Sequence, residues 1–293
     1  MPSSCTGGSV LSAWLCPSNR VSRMCLIAFR YQQHPTHALI LAANRDEFYA
    51  RPTAPAQFWD DAPAVLAGRD QQAGGTWMGV TRTGRWAALT NVRALDVQAP
   101  KPDAASRGHL VSEYLTGTAA PRTYLASIAD AEDAYNGFNL LVGTPDACWY
   151  ASNHGVAPQS VSPGTHGLSN HVLDTPWPKV QRTTRRLDET LSASNGSAPD
   201  ADVLLDLLDD RTPAPDEALP DTGVGLEAER MLSPPFIESP DYGTRASTVL
   251  LIGHDGAIRF IERTFRKGTP TRTRAFAFDA APAPTGASRN RNA

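Results

Sequence analysis

Short apolar runs separated by polar turns mark both ends of the chain, and helical spacing marks its middle. "CLIAFRY" and "ALILAANR" are two such runs on either side of "QQHPTH", and they predict a hairpin. After a Pro-rich loop, "TWMGVTRTGRWAALTNV" repeats the form around "RTGR", where Gly84 supplies a permissive turn backbone. Helix signals run from Ser106 to Leu115, and from Pro121, which suits a first helical position, to Ala129. "FNLLVGTPDACWYASN" predicts a strand pair around "TPDA". "TPWPKVQRTTRRLDETLS" carries Val180, Leu187 and Leu191 at helical spacing, and "DADVLLDLLDD" predicts a second helix behind an Asp cap. A last hairpin is predicted over "ASTVLLIGHDGAIRFIERTF", turning at "HDG".

Strands, then helices, then strands predict α+β layers in a single domain over residues 24–279, not a parallel βαβ series. The tail 280–293, "AAPAPTGASRNRNA", is expected to be disordered. The leader 1–23, "MPSSCTGGSVLSAWLCPSNRVSR", shows no comparable pattern, so the domain is expected to begin at Met24-Cys25.

Composition narrows the class of partner. The chain has 293 residues, 41% of them hydrophobic, and a formal net charge of −3, enough for a sizeable core. Its charges are balanced and unblocked, which argues against nucleic acid or an anionic membrane surface as partner. No apolar run approaches the roughly 20 residues of a membrane span, so no transmembrane segment is expected. Cys5 and Cys16 fall in the leader, leaving only Cys25 and Cys148 in the patterned chain. That is no disulfide framework, and a reducing cytoplasm is expected. The leader's apolar stretch "VLSAWLC" is short, follows no Lys or Arg, and precedes no small-residue cleavage site, which argues against a secretory signal.

Neither cofactor nor metal is expected. "GGTWMG" lacks the Lys and Ser/Thr of a phosphate loop, and its glycines do not fit the dinucleotide fingerprint. The seven histidines are scattered, with neither a partnering Cys nor the helical placement of a zinc site.

Cys25 has two readings: a buried strand cysteine acting as a small hydrophobe, or a nucleophile. A thiol attacks carbonyls as thiolate, so its pKa of about 8.5 must be lowered or a base supplied. A chain beginning at Cys25 has its own α-amine, with a pKa of about 7.7 to 8.0, to take that proton. "AANRDEFYARP" ends an apolar strand with Asn44, Arg45, Asp46 and Glu47, an unusually polar finish, and pairing with the first strand would bring these groups near Cys25.

With Met24-Cys25, "ANRDEF", "AGGTWMGVTRTGRWAALTNVR", "HGLSNHVLDTPWPKV" and "DYGTRASTVLLI" in order, the chain resembles the NRDE family, also called the transport and Golgi organisation protein 2 family. Members typically begin at the Met-Cys pair, so the leader is the departure here, either a misplaced start or a segment clipped to expose Cys25. The family in turn resembles the N-terminal nucleophile (Ntn) hydrolases, which implies a four-layer αββα sandwich. It is most similar to cysteine amidases that cleave conjugated bile salts and penicillin V.

That resemblance implies a site of Cys25, Arg45, Asp46, Asn91, Asn170 and Arg245. It implies a thiolate favoured by Arg45, an amine oriented by a carboxylate, and an oxyanion held by Asn91 and Asn170. Arg45 and Asp46 are adjacent here, and adjacent strand residues point to opposite faces, so Glu47 is an alternative carboxylate. Trp59, Trp77, Trp86 and Trp177 are candidates for an apolar acyl pocket or for the core. Two functions stay open: a cysteine amidohydrolase acting on a small or lipid-like amide, or a non-catalytic haem or lipid binding or trafficking protein on the same fold.

Overall fold

A computed structural model describes residues 24–95, 101–197 and 199–282. The leader 1–23 and the tail beyond residue 282 lie outside the described residues.

The chain folds into two antiparallel sheets. One has the order β10-β1-β2-β11-β12-β13, with β1 Cys25–Tyr31, β2 His37–Phe48, β10 Gly164–Leu168, β11 Tyr242–Gly253, β12 Ala257–Arg266 and β13 Thr269–Asp279. The other runs in chain order: β3 Thr53–Phe58, β4 Val65–Asp70, β5 Met78–Thr81, β6 Trp86–Asn91, β7 Phe138–Thr144, β8 Ala147–Ser152 and β9 Val156–Ser160. Alternation decides what each face meets. Ile27, Phe29, Leu39, Leu41, Leu250, Ile252, Ile258 and Phe260 of the first sheet pack on Leu66, Val80, Trp86, Leu141 and Tyr150 of the second.

The outer faces are covered by helices. Helices α1 (Gly108–Thr116) and α2 (Pro121–Ala129) place Leu110, Val111, Tyr114, Leu125 and Ile128 on Ala67, Ala87, Leu140 and Val142. Helices α3 (Pro178–Ala193) and α4 (Ala201–Leu208) place Leu187, Leu191, Leu204 and Leu208 on Ala28, Ile40, Ala42 and Val249. A short helix, α5 (Leu226–Leu232), closes over the start of β1, where Met24 packs among Val224, Ala228, Leu232, Ile237 and Tyr242. The result is the four-layer αββα arrangement, and β2 is buried at every position from Ala38 to Glu47 because both its faces are covered.

The four expected strand pairs all form, with Gly84 at φ 77° and Gly256 at φ 88° in two of the turns, where a residue with a Cβ is strained. The Pro-rich loop departs from expectation. It contains β3 and β4, and Pro55 sits in a bulge between Ala54 and Gln57, where a missing N–H costs no ladder bond. The strand β13 was also unforeseen, because an edge strand with an exposed face reads as polar sequence: Arg272 and Arg274 precede Phe276 and Phe278 on one face, and Thr271, Thr273, Ala275 and Ala277 make up the exposed one.

Candidate active site

Strand pairing puts Cys25 directly opposite Arg45. Asp46 N–H donates to Met24 O at 3.0 Å, so positions 24 and 46 form the bonded pair and Cys25 with Arg45 the non-bonded one, whose side chains stand closest. Both continue the inward stripe of Ile27 and Ala43, and they meet a cavity of about 790 Å³ between the open ends of the two sheets. Its wall includes Cys25, Arg45, Asp46, Glu47, Asn91 and Arg245. Asn170 is not part of that wall.

The polar finish of β2 divides by alternation. Arg45 and Glu47 share the cavity face, with Arg45 Nη2 3.4 Å and Arg51 Nε 3.6 Å from Glu47 Oε2. Asp46 faces the helix layer, where Thr244 Oγ1 donates to its Oδ1 at 2.6 Å. Arg45 is 8% exposed, and its Nη1 finds no hydrogen-bond partner among the described residues.

Arg245 enters through a bulge. Thr244 pairs with Asp46 and Ala246 with Arg45, leaving Arg245 as the extra residue, re-aimed so that its Nη1 donates to Phe48 O at 2.9 Å and Arg51 O at 3.0 Å. Asn91 ends β6 at the cavity wall. Asn170, fully buried beyond β10, stands behind it and donates from Nδ2 to Asn91 O at 2.9 Å. Ser169 Oγ donates to Cys25 O at 2.9 Å, and Thr90 Oγ1 donates to Ser169 O, so the ends of β1, β6 and β10 are tied together.

The electrostatics of Cys25 run against a free thiolate. Burial, then Asp46, push its thiol up to about 12, and Arg45 pulls it back only in part. In this state Met24 precedes it, fully buried, with its N–H donating to Tyr242 Oη at 2.5 Å. Of the four tryptophans, Trp77 lines the cavity, whereas Trp59 and Trp86 belong to the core and Trp177 packs on Leu26 and Val180.

Four residues that carry charge into the interior were not singled out from the sequence. Lys179 is 3% exposed and donates to Leu232 O at 3.1 Å; burial pushes its pKa down and that of Asp46 up. A signal existed, since Lys179 lies one turn ahead of Thr183 and two ahead of Leu187 on the buried stripe of α3. Glu262 likewise follows Ile258 and Phe260 on the inward face of β12, and its Oε1 accepts from Ala56 N–H at 2.7 Å. Glu229 of α5 forms a buried ion pair at 3.0 Å with Arg93, which follows β6.

A family model described as Transport and Golgi organisation 2 matches residues 24–267. A Transport and Golgi organization protein 2 homolog of Bos taurus is 36% identical over 269 residues, covering 85% of this chain and 96% of that protein. The homolog of Homo sapiens is 37% identical over 262 residues, covering 82% and 93%. Among solved structures, a mutant conjugated bile acid hydrolase from Clostridium perfringens is similar with a TM-score of 0.46 at 8% identity, covering 87% of this chain and 92% of its own.

Proposed function

This chain belongs to the Transport and Golgi organisation 2 family, and on that premise we propose that it is a cysteine amidohydrolase that cleaves a non-peptide C–N amide once Cys25 is its first residue. The observation that carries the reading is the non-bonded Cys25–Arg45 pair on the wall of a cavity of about 790 Å³.

With Met24 in place the nitrogen of Cys25 is an amide and its thiol is protonated at neutral pH. Removing Met24 replaces that amide by an amine and opens the buried side of the thiol. The neutral amine takes the thiol proton, and the sulfur attacks the substrate carbonyl, forming a C–S bond and an oxyanion. Asn91 and Arg45 donate to that oxygen, each donor being worth about 3 to 4 kcal/mol in comparable sites. Asn170 acts from behind as the residue that positions Asn91, Asp46 orients the amine, and Arg245 and Glu47 shape the cavity around Arg45.

Collapse of the oxyanion breaks the C–N bond, the leaving amine takes the proton from the Cys25 ammonium, and an acyl thioester remains. Water, giving its proton to the same amine, then attacks the thioester; the C–S bond breaks, the sulfur regains a proton, and a carboxylic acid leaves. We place this chemistry in the cytoplasm, where Cys25 and Cys148, both free thiols, stay reduced. No helix among the described residues is long and apolar enough to cross a membrane.

The test is a panel of fatty-acyl and aryl-acyl amides presented to protein released from a cleavable fusion with Cys25 first. Intact mass should reveal an acyl adduct on Cys25, and Cys25→Ala should lose adduct and turnover together. A Cys25-first protein that turns over no amide and forms no adduct, yet binds haem or an acyl ligand as tightly as Cys25→Ala does, would replace the enzyme with the carrier reading.

A further inference from the structure

Behind the start of β1, against the helix layer, lies a buried cluster of charges of which the proposed reaction uses only Asp46. Asp46 is 1% exposed, Lys179 3%, Glu229 4% and Arg93 5%. Arg93 and Glu229 form an ion pair at 3.0 Å, while Lys179 Nζ donates to Leu232 O, at the end of α5. Asp46 Oδ2 has no hydrogen-bond partner among the described residues, although its Oδ1 is held by Thr244. Lys179 feels the fields of Asp46, Arg93, Cys25 and Glu229, and burial pushes its pKa down. A lysine is almost never buried this fully without a partner charge.

The charged groups around Cys25 come from several elements. Arg45, Asp46 and Glu47 on β2 act on it directly, Lys179 on α3 faces both Asp46 and Cys25, and Lys179 in turn feels Arg93 after β6 and Glu229 on α5, with Tyr242 of β11 neutral because burial raises its pKa. On the cavity side Arg51 stands 3.6 Å from Glu47, and Arg245 feels the charge of Arg45. An ammonium at Cys25 is then one more cation in a site that already holds several and is largely screened from water, and a buried surplus charge is strongly disfavoured.

We infer that Lys179 is a positioning residue that keeps the Cys25 α-amine neutral: as a buried cation facing Asp46, it leaves that carboxylate less charge with which to stabilise the ammonium. The inference rests on the reading that Cys25 becomes the first residue. Without the lysine charge, Asp46 turns to the amine for its counter-ion, the amine binds its proton more tightly, and the base is lost at neutral pH.

The experiment uses Cys25-first protein carrying ¹³C-labelled cysteine, so that the Cα shift of Cys25 reports the titration of its amine without any substrate. The wild-type midpoint should lie below the value of about 7.7 to 8.0 of an ordinary α-amine. Lys179→Met should raise it by about one unit, roughly a tenfold loss of neutral amine below the midpoint, and Lys179→Arg should restore it. Glu229→Gln removes an anion and should move it in the opposite direction, which decides the matter if Lys179→Met does not fold. Equal midpoints in wild type, Lys179→Met and Lys179→Arg, or no downward movement in Glu229→Gln, would overturn the inference. Inactivity toward every amide would remove the proposed reaction but leave these shifts as they are.

Discussion

Arg45 and Asp46 are neighbours in the chain and both border the cavity of about 790 Å³, yet Arg45 turns its side chain toward it while Asp46, 1% exposed, turns its carboxylate toward Thr244 and the helix layer. On the cavity side, charges are shared loosely: Glu47 stands 3.4 Å from Arg45 and 3.6 Å from Arg51, and Arg45 retains an N–H without a partner among the described residues. On the helix side, two cations and two anions are closed off by Met24, Trp177 and α5, with Arg93 and Glu229 at 3.0 Å. The cavity side is suited to meet a ligand and the sealed side to set the protonation of what the cavity uses. A single residue of strand alternation separates these two roles.

The comparison breaks most visibly at Met24, which is buried beside both regions. In protein that retains Met24, a thiol held up at about 12 leaves about 10⁻⁴ of Cys25 as thiolate at pH 8. Alkylation by iodoacetamide should therefore be very slow and rise about tenfold per pH unit toward that value, whereas Cys25-first protein should react on the order of 10³-fold faster at neutral pH. Equal rates measured by mass spectrometry in the two forms would mean that Met24 does not gate the cavity face.

A smaller effect tests the sealed side. Glu229→Ala leaves Arg93 buried without its partner, and urea denaturation should show a loss of about 3 to 5 kcal/mol. The smallest effect serves as the contrast. Arg263 and Asp202 form an ion pair at 2.8 Å between β12 and α4, also on the helix side, but Asp202 is 75% exposed. Asp202→Ala should cost no more than about 1 kcal/mol in the same assay. If the two losses came out alike, solvation would not be what distinguishes the regions.

Much of the frame was legible in local pattern. Short apolar runs on either side of polar turns announced β1 with β2, β5 with β6, β7 with β8 and β11 with β12, because a strand between two packed layers must show its burial in its own sequence. The polar finish "NRDE" on an apolar strand marked the site for the same reason. Elements whose partners supply the apolar face were less visible: β13 at the sheet edge and the bulged β3 carry polar and proline residues that read as loop. Arg245 was legible as a residue but not as a direction, since its aim depends on a bulge against β2.

The sequence by itself determined the layers, the strand that begins at Cys25 and the residue types available to the site, since these depend on periodicity and local chemistry within a few residues. Tertiary structure alone decided the charge environment of Cys25. Lys179, Glu229, Arg93 and Asp46 come from four separate elements, and no local pattern states the distance between them or their removal from water. Electrostatic energy depends on that distance and that solvation, which is why Arg45 beside the thiol suggests a reactive cysteine while burial and Asp46 hold it protonated.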